Sequence, residues 1–192
     1  MSALKQEQEF KCILYENDWF MKLLRTVRDC NLPDWFVGAG VIRSLIWDNL
    51  HGYLKPTQIK DVDVVHFNAS DLSQKHDQEI LKRLRDKLPD VPWEVTNQAA
   101  VHLWFEEYFG YSVLPLESIE EAVSTWPETV TSIGVRLLSN EELYICAPFG
   151  LEDLFNLTLR RNPKRVTLEQ FKKRCKEKGI LQKWPKVKII DG

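Results

Sequence analysis

The sequence predicts an α/β protein in which a small mixed β-sheet is flanked by helices. Strand-like and helix-like patterns alternate from Trp35 to Asn97, and a hairpin pattern follows at residues 133–147. At 192 residues, the chain is long enough to bury one sizeable core. Its 44% hydrophobic and 28% charged residues are typical of a globular protein and argue against extensive disorder.

The amino-terminal part predicts helices on either side of a short strand. Apolar residues recur at helical spacing in residues 4–29, which indicates one or two helices. The apolar run 35–37 ends at a glycine, as a buried strand often does. Helical periodicity returns at residues 41–50, and a loop broken by glycine and proline follows at residues 52–58.

The next segment predicts two strands separated by a helix. Residues 61–67 alternate in the manner of a strand. A charged helix is predicted from residue 71 to residue 87, and a short strand at residues 93–96. The order strand, glycine turn, helix, strand, helix, strand is therefore the most informative part of the chain.

The carboxy-terminal half combines a hairpin with capped helices. Apolar runs at residues 133–137 and 143–147 flank a polar turn and predict the hairpin. A short helix is expected after Gly150. Two capping boxes mark further helix starts: Ser118 with Glu121, and Thr167 with Gln170.

The net charge of −2 hides an asymmetry. Residues 160–188 contain twelve Lys or Arg against two Glu, so this segment carries +10 and the rest carries −12. A basic segment can attract phosphates or nucleic acid, but it is more often the solvated face of a helix on an acidic body. We expect residues 1–160 to form the main domain, with residues 161–192 as a basic helix and tail packed on it.

Composition also predicts where the protein resides. No apolar run approaches the roughly 20 residues that a membrane-spanning helix needs, and the polar start of the chain does not resemble a secretory or transit peptide. The four cysteines are scattered, without the spacing of a zinc or redox site. These features predict a cytoplasmic protein with reduced thiols and no membrane partner.

Asp61 and Asp63 are the leading candidates for metal ligands. Residues two apart in a strand face the same side, so both carboxylates project together. Adjacent carboxylates repel each other, and a divalent cation between them removes that cost. Carboxylate oxygen is also the ligand that Mg²⁺ prefers, usually alongside waters and substrate phosphates. An Asp-x-Asp pair alone is common on exposed strands, so its surroundings decide the interpretation.

A turn of small residues precedes this strand. Gly38, Ala39 and Gly40 let the backbone approach a ligand closely. The following helix offers free N–H groups and a positive dipole to a phosphate. Arg43, about one turn into that helix, can add a bidentate charge contact. We therefore predict these four residues as a nucleotide-binding element, although a glycine turn before a helix is equally common as simple packing.

Glu94 is the predicted third acid. It lies within the apolar segment 91–95, where a lone carboxylate is costly unless it is paired or bound to a cation. If this strand lies beside the Asp61 strand, Glu94 becomes a third ligand; on an edge strand it faces solvent instead. Three acids on adjacent strands, with a phosphate-binding turn, are the parts that two-metal phosphoryl or nucleotidyl transfer requires.

These residues resemble the nucleotidyltransferase superfamily that includes DNA polymerase β and the CCA-adding enzymes. Residues 39–43 are similar to the Gly-Gly-x-Val-Arg element of CCA-adding enzymes, and Asp61-Val62-Asp63 resembles their metal pair. The chain is more similar still to a bacterial family of nucleotidyltransferase-like proteins whose acceptor is unassigned. That similarity includes three motifs: residues 93–98, 101–104 and 147–155. Ala39 and Ser44 depart from the CCA-adding pattern, which weakens an assignment to tRNA-end chemistry.

The resemblance implies a nucleotidyltransferase fold and a metal-dependent enzyme. Asp61 and Asp63 would coordinate two Mg²⁺ (or Mn²⁺) ions, and Glu94 would hold the catalytic metal or help to polarise the acceptor. The implied substrates are an NTP and an acceptor that is a nucleic acid, a protein or a small molecule.

Several side chains after the third acid are candidates for contacting a nucleotide. Asn97 is predicted to bind a base or sugar, and Gln98 can do the same, but either can instead cap the next helix. Trp93, Trp104 and Trp126 can stack on a nucleobase, although tryptophan is more often part of a core.

Two alternatives stay open. A Gly38-x-Gly40 turn with Asp61 about 20 residues further on resembles a dinucleotide-binding fingerprint, but Arg43 occupies the third glycine position and the other acids are left unexplained. A nucleotidyltransferase fold can also have lost turnover and serve as a nucleotide-binding or interaction module.

Overall fold

The computed structural model describes residues 2–191. Its α-helices are α1 (Ala3–Tyr15), α2 (Asp18–Arg28), α3 (Gly40–His51), α4 (Gln74–Lys87), α5 (Phe105–Phe109), α6 (Ile119–Val123), α7 (Glu152–Phe155), α8 (Leu168–Lys178) and α9 (Ile180–Lys183). Its strands are β1 (Trp35–Gly38), β2 (Val62–His66), β3 (Trp93–Asn97), β4 (Gly134–Leu137), β5 (Leu143–Cys146), β6 (Thr158–Arg160) and β7 (Lys188–Ile190). A 3₁₀ helix (Gln98–Leu103) follows β3 directly.

The main sheet is mixed, as predicted. Its strand order is β3-β2-β1-β4-β5. Strands β2 and β3 are parallel, because α4 carries the chain back to the same edge, and the other pairs are antiparallel. The antiparallel pairing of β1 with β2 contradicts the dinucleotide-binding alternative, which requires the strand after the glycine turn to return in parallel.

The two faces of this sheet have different surroundings. One face contributes Val37 and Val64 to the main core, which also contains Phe10, Leu24 and Ile80 from the flanking helices. The opposite face carries a smaller apolar cluster, which includes residues of β1, β2 and α6. Since successive strand residues alternate between faces, Asp61 and Asp63 belong to the second face, away from the main core.

Most predicted elements are confirmed, and the differences lie at their ends. Residues 4–29 form two helices, because Asn17 interrupts the run and caps α2 by accepting a hydrogen bond from the Phe20 amide. Helix α6 is short and ends at Val123. The carboxy-terminal part is not wholly helical as expected, since β7 pairs in parallel with β6.

The basic carboxy-terminal part packs into the main core. Its first helix, α8, begins at the predicted capping box of Thr167 and Gln170. Phe171 and Trp184 are fully buried in the main core, and the Trp184 indole Nε1 donates a hydrogen bond of 2.7 Å to Asp48 Oδ1. The division at residues 160 and 161 stays a prediction, and these contacts support a single folding unit.

Among residues 2–191, no helix combines the length and the apolar character that crossing a membrane requires.

Candidate functional site

The register of two parallel strands places the three predicted acids on the same face of the sheet. Asp63 of β2 lies opposite Glu94 of β3, so their side chains leave the sheet on the same face. Asp61 comes just before β2, two residues from Asp63, and shares that face. The prediction required the Glu94 strand to lie beside the Asp61 strand, and the structure places it there.

Asp61, Asp63 and Glu94 form what we call the acidic edge of the sheet. Its electrostatics disfavour a third negative charge. Burial, followed by the negative charges of Asp61 and Glu94, raises the pKa of Asp63 to about 6. Lys178 and Arg174 oppose this shift but do not cancel it. Asp63 is therefore a carboxylate whose charged form is stabilised by an added cation.

The acids are aligned but do not form a closed cage. Within the described residues, no group of three His, Cys, Asp or Glu side chains lies close enough together to hold a metal ion. The side chains of Asp61, Asp63 and Glu94 also make no ion pair inside residues 2–191. Their oxygen donors and the repulsion at Asp63 fit a hard divalent cation such as Mg²⁺ or Mn²⁺, with water and substrate supplying further ligands.

The raised pKa of Asp63 predicts a stabilising substitution. Because its pKa is higher in the folded than in the unfolded chain, the native state loses stability as pH rises from about 4 through about 6. In the presence of EDTA, Asp63→Asn is expected to add about 2 kcal/mol at pH 8, or roughly 4–8 °C in Tm, and nothing near pH 4. Thermal unfolding at both pH values checks this. An equal Tm difference at pH 4 and pH 8 would contradict it.

The amino terminus of α3 lies next to the acids. Ala39 occupies the N-cap position with no side-chain cap, and Gly40 is the first helical residue. A Cβ atom added to Gly40 would lie 3.7 Å from Asp61 Oδ1, which shows how closely the turn approaches the acidic edge. Free N–H groups at this helix end can bind an anion beside the carboxylates.

Ala39 adopts a backbone conformation that favours glycine, with φ 58° and ψ −124°. A non-glycine residue there costs on the order of 1–3 kcal/mol. Ala39→Gly is therefore expected to raise Tm by roughly 2–4 °C, since relief of strain outweighs the added chain entropy of glycine. Thermal unfolding tests this against Ala69→Gly, an exposed control that should not gain stability. A lower Tm for Ala39→Gly would show that the turn is unstrained.

Gly38 has a packing role in the structure. A Cβ atom at this position would lie 2.8 Å from the Trp126 ring and from the carbonyl oxygen of Ile133. The Trp126 ring therefore packs directly on Gly38 and leaves no room for a side chain there.

Arg43 is deeply buried, whereas an arginine that contacts a phosphate directly would have its guanidinium group exposed at the cleft surface. Its side chain is 5% exposed, and its guanidinium carbon lies 5.5 Å and 4.8 Å from the ring centroids of Trp47 and Trp184. Burial lowers its pKa to about 10, so it stays charged at neutral pH. The Nε atom has no hydrogen-bond partner in the described residues. Arg43 thus supplies a buried positive charge close to Gly40.

The side chain of Asn97 hydrogen-bonds the backbone of neighbouring segments, in contrast to its predicted contact with a nucleotide. It is 1% exposed, and its Oδ1 accepts hydrogen bonds from the backbone amides of Asn68 and Ala99. Its Nδ2 donates to the carbonyl oxygens of Asn68 and Asp71. Both ends of the carboxamide are therefore used, and Asn97 caps the 3₁₀ helix instead of facing a ligand.

A cleft of about 580 Å³ opens over this face of the sheet. Asp63 and Thr96 lie on its sheet side, together with Ala39 from the turn before α3. A second part comes from the 3₁₀ helix and α5, and a third from the loop 125–131 and α8. The residues that line it are Ala39, Asp63, Val65, Thr96, Gln98, Val101, Trp104, Phe105, Tyr108, Phe109, Thr125, Trp126, Pro127, Thr131, Arg165, Val166, Gln170, Lys173, Arg174 and Glu177.

The basic segment faces this cleft in part, so it is more than a solvated surface. The Arg174 Nε donates a 2.5 Å hydrogen bond to Oε1 of the buried Glu128, whose Oε2 accepts a hydrogen bond from the Thr131 hydroxyl. The pKa of Lys178 is lowered, first by burial and then by the charge of Arg174. Lys178 forms no ion pair in the described residues. Arg174 lines the cleft together with Arg165 and Lys173, so the cleft has a basic wall that sequence reasoning missed.

A helical-face analysis could have found this wall. Arg174 and Lys178 follow the buried Phe171 by three and seven residues, so all three lie on one face of α8. A charged residue on the buried face of a helix indicates a partner or a ligand.

Comparisons with known proteins agree with this geometry. The profile of a nucleotidyltransferase family matches residues 25–189. An NMR structure described as revealing a CCA-adding enzyme head domain is 27% identical, with 96% of each chain covered and a TM-score of 0.81. A CCA-adding enzyme solved with CTP is 12% identical, with 90% of this chain and 40% of that chain covered and a TM-score of 0.51.

This chain spans most of the head-domain protein but less than half of the CTP-bound enzyme. A comparison with curated proteins finds no significant match. The family profile covers far more than half of the chain, and the fold agrees with it. The chain therefore belongs to the nucleotidyltransferase family and is an enzyme of nucleotidyl transfer, with a fold similar to a CCA-adding enzyme head domain.

Proposed function

We propose that this protein transfers a nucleoside monophosphate from an NTP to an acceptor in a reaction that depends on Mg²⁺ or Mn²⁺. One observation carries the proposal: Asp61, Asp63 and Glu94 share one face of the sheet beside the uncapped terminus of α3, and Asp63 lines a cleft that has basic residues on its wall. Asp61, Asp63 and Glu94 would hold the metal. When bound, such an ion activates the attacking oxygen and neutralises charge on the phosphates.

The residues of the chain have distinct roles in this proposal. The N–H groups at Gly40 and the positive end of α3 bind phosphate oxygens. Arg43 and Lys178 add positive charge behind them, and Arg174 does so from the cleft wall. Because Glu128 holds Arg174 through a short ion pair, this cation stays in place when no nucleotide is bound.

The acceptor is proposed only by class, as a hydroxyl or similar nucleophile on a nucleic acid, a protein or a small molecule. CTP is the first nucleotide to test, since a CCA-adding enzyme with a similar fold was solved with it. We also propose a cytoplasmic location, which the four free cysteines support.

Labelled nucleotides test the proposed reaction. The protein is incubated with Mg²⁺ and each NTP, labelled at either the α- or the γ-phosphate, together with RNA, protein or small hydroxyl acceptors. We expect the α-label to enter the acceptor while the γ-label leaves as pyrophosphate. Transfer of the γ-label instead would show phosphoryl transfer. Nucleotide binding with no transfer to any acceptor class would favour the idle nucleotide-binding module.

A further inference from the structure

Gln98 is a buried polar side chain without a partner. It is 7% exposed and lines the cleft, yet its carboxamide makes no hydrogen bond within residues 2–191. A carboxamide carries two N–H donors and an acceptor oxygen, and those of Gln98 are accessible from the cleft. Its neighbour Asn97 has all of its hydrogen bonds satisfied by the fold. The carboxamide of Gln98, unlike that of Asn97, is therefore free to hydrogen-bond a molecule in the cleft.

An aromatic surface lies in the same cleft. Trp104, at the end of the 3₁₀ helix, is half-buried and lines the cleft. Tyr108 packs against it edge to face, with ring centroids 5.6 Å apart and an interplanar angle of 81°. Tyr108 is itself 76% exposed. Aromatic faces that remain open beside a basic wall are suited to stacking on a nucleobase.

The strand direction connects these groups to the acids. Glu94 and Thr96 lie on the same face of β3, and the 3₁₀ helix that follows the strand directly places Gln98 in the cleft lining beside Thr96. Thr96 pairs with Val65, two residues beyond Asp63, and both line the cleft. A nucleotide whose phosphates meet the acidic edge can therefore extend along the strands towards Gln98.

We propose that Gln98 and Trp104 form a nucleobase subsite, in which the carboxamide hydrogen-bonds the base edge and the indole stacks on the base face. This inference rests on the proposed function, since it assigns one part of the same cleft. The base belongs either to the incoming NTP or to the terminal nucleotide of a nucleic-acid acceptor. Trp93 is excluded from this role because it is 2% exposed and lies in the main core.

Titration calorimetry with Mg²⁺ tests the subsite on the full chain. The variants are Trp104→Ala, Trp104→Phe and Gln98→Leu. The matched controls, Trp19→Ala and Gln8→Leu, change the same residue types on exposed parts of α2 and α1. The ligands are the four NTPs, inorganic tripolyphosphate and a short single-stranded RNA.

Trp104→Ala is expected to raise the Kd of a base-containing ligand by about 5- to 100-fold, while the Kd of tripolyphosphate changes by less than about twofold. Trp104→Phe should retain most of the affinity. Gln98→Leu keeps the side-chain volume. It should reduce the ratio between the Kd values of the weakest-bound and the tightest-bound NTP by about 5- to 10-fold. Weakened NTP binding assigns the subsite to the incoming nucleotide, and weakened RNA binding alone assigns it to the acceptor.

Equal losses for NTP and tripolyphosphate, or no loss for any base-containing ligand, would overturn the subsite and leave the proposed reaction standing. Failure of the wild type to bind any Mg²⁺-phosphate ligand would instead contradict the proposed function, and the subsite with it.

Discussion

Asp63→Asn is expected to abolish nucleotidyl transfer while the protein remains folded. Asp63 lies between the other two acids, and its charge is the one that most needs a cation. Removing it should lower the rate by at least about 10³-fold, which corresponds to about 4 kcal/mol of transition-state stabilisation. The rate of α-label transfer, measured at saturating NTP and Mg²⁺, gives this number.

Stability and activity should change in opposite directions for this variant. Because Asp63→Asn is expected to raise Tm at pH 8, a loss of transfer cannot be attributed to unfolding. Asp86→Asn is the matched control, since Asp86 is exposed on α4 and should tolerate the change in both assays. If Asp63→Asn retains more than a tenth of the wild-type transfer rate, Asp63 is not a catalytic residue.

Trp184→Ala should cause the largest loss of stability. Trp184 is fully buried, donates its indole N–H to Asp48, and packs edge to face on Trp47 with ring centroids 5.3 Å apart. Truncation leaves a cavity, removes a buried hydrogen bond and uncovers Arg43, at a cost of about 3–5 kcal/mol. Differential scanning calorimetry should show a decrease in Tm of roughly 6–20 °C.

The Trp184 experiment also tests the predicted domain organisation. If residues 161–192 fold with the rest of the chain, wild type and Trp184→Ala should each unfold in one transition. Trp19→Ala, at a tryptophan that is 39% exposed, should lower Tm much less. A separate low-temperature transition that alone responds to Trp184→Ala would show that the carboxy-terminal part is an independent unit.

The acidic edge was predictable from sequence because its signals are local. The alternation around Asp61 and Asp63 identifies a strand with both acids on one side, and the glycine turn marks the start of α3. The pairing of Glu94 with Asp63 was only a conditional expectation. Strand neighbours depend on the path of the chain through α4, and no local pattern fixes that path.

The sequence does not predict the surroundings of residues whose partners lie far away along the chain. The sequence predicts Arg43 near the phosphates, and only the fold shows that Trp184, far along the chain, covers its guanidinium group. Asn97 was expected at a nucleotide, but the loop that carries Asn68 takes up its hydrogen bonds. Composition of the basic segment favoured a solvated surface, and only the fold shows that Arg174 meets the buried Glu128.

We propose that the acidic edge and the terminus of α3 form one metal–nucleotide site. Its most direct test is the thermal stability of wild type and of the double variant Asp61→Ala/Asp63→Ala, with each NTP, with and without Mg²⁺. At about a hundred times Kd, a ligand that binds only the folded state adds about 2.7 kcal/mol, or roughly 5–11 °C in Tm for a chain of this size. We predict a Tm increase that requires both NTP and Mg²⁺ and is absent from the double variant. An NTP-dependent increase without Mg²⁺, or an equal increase in the double variant, would contradict the account.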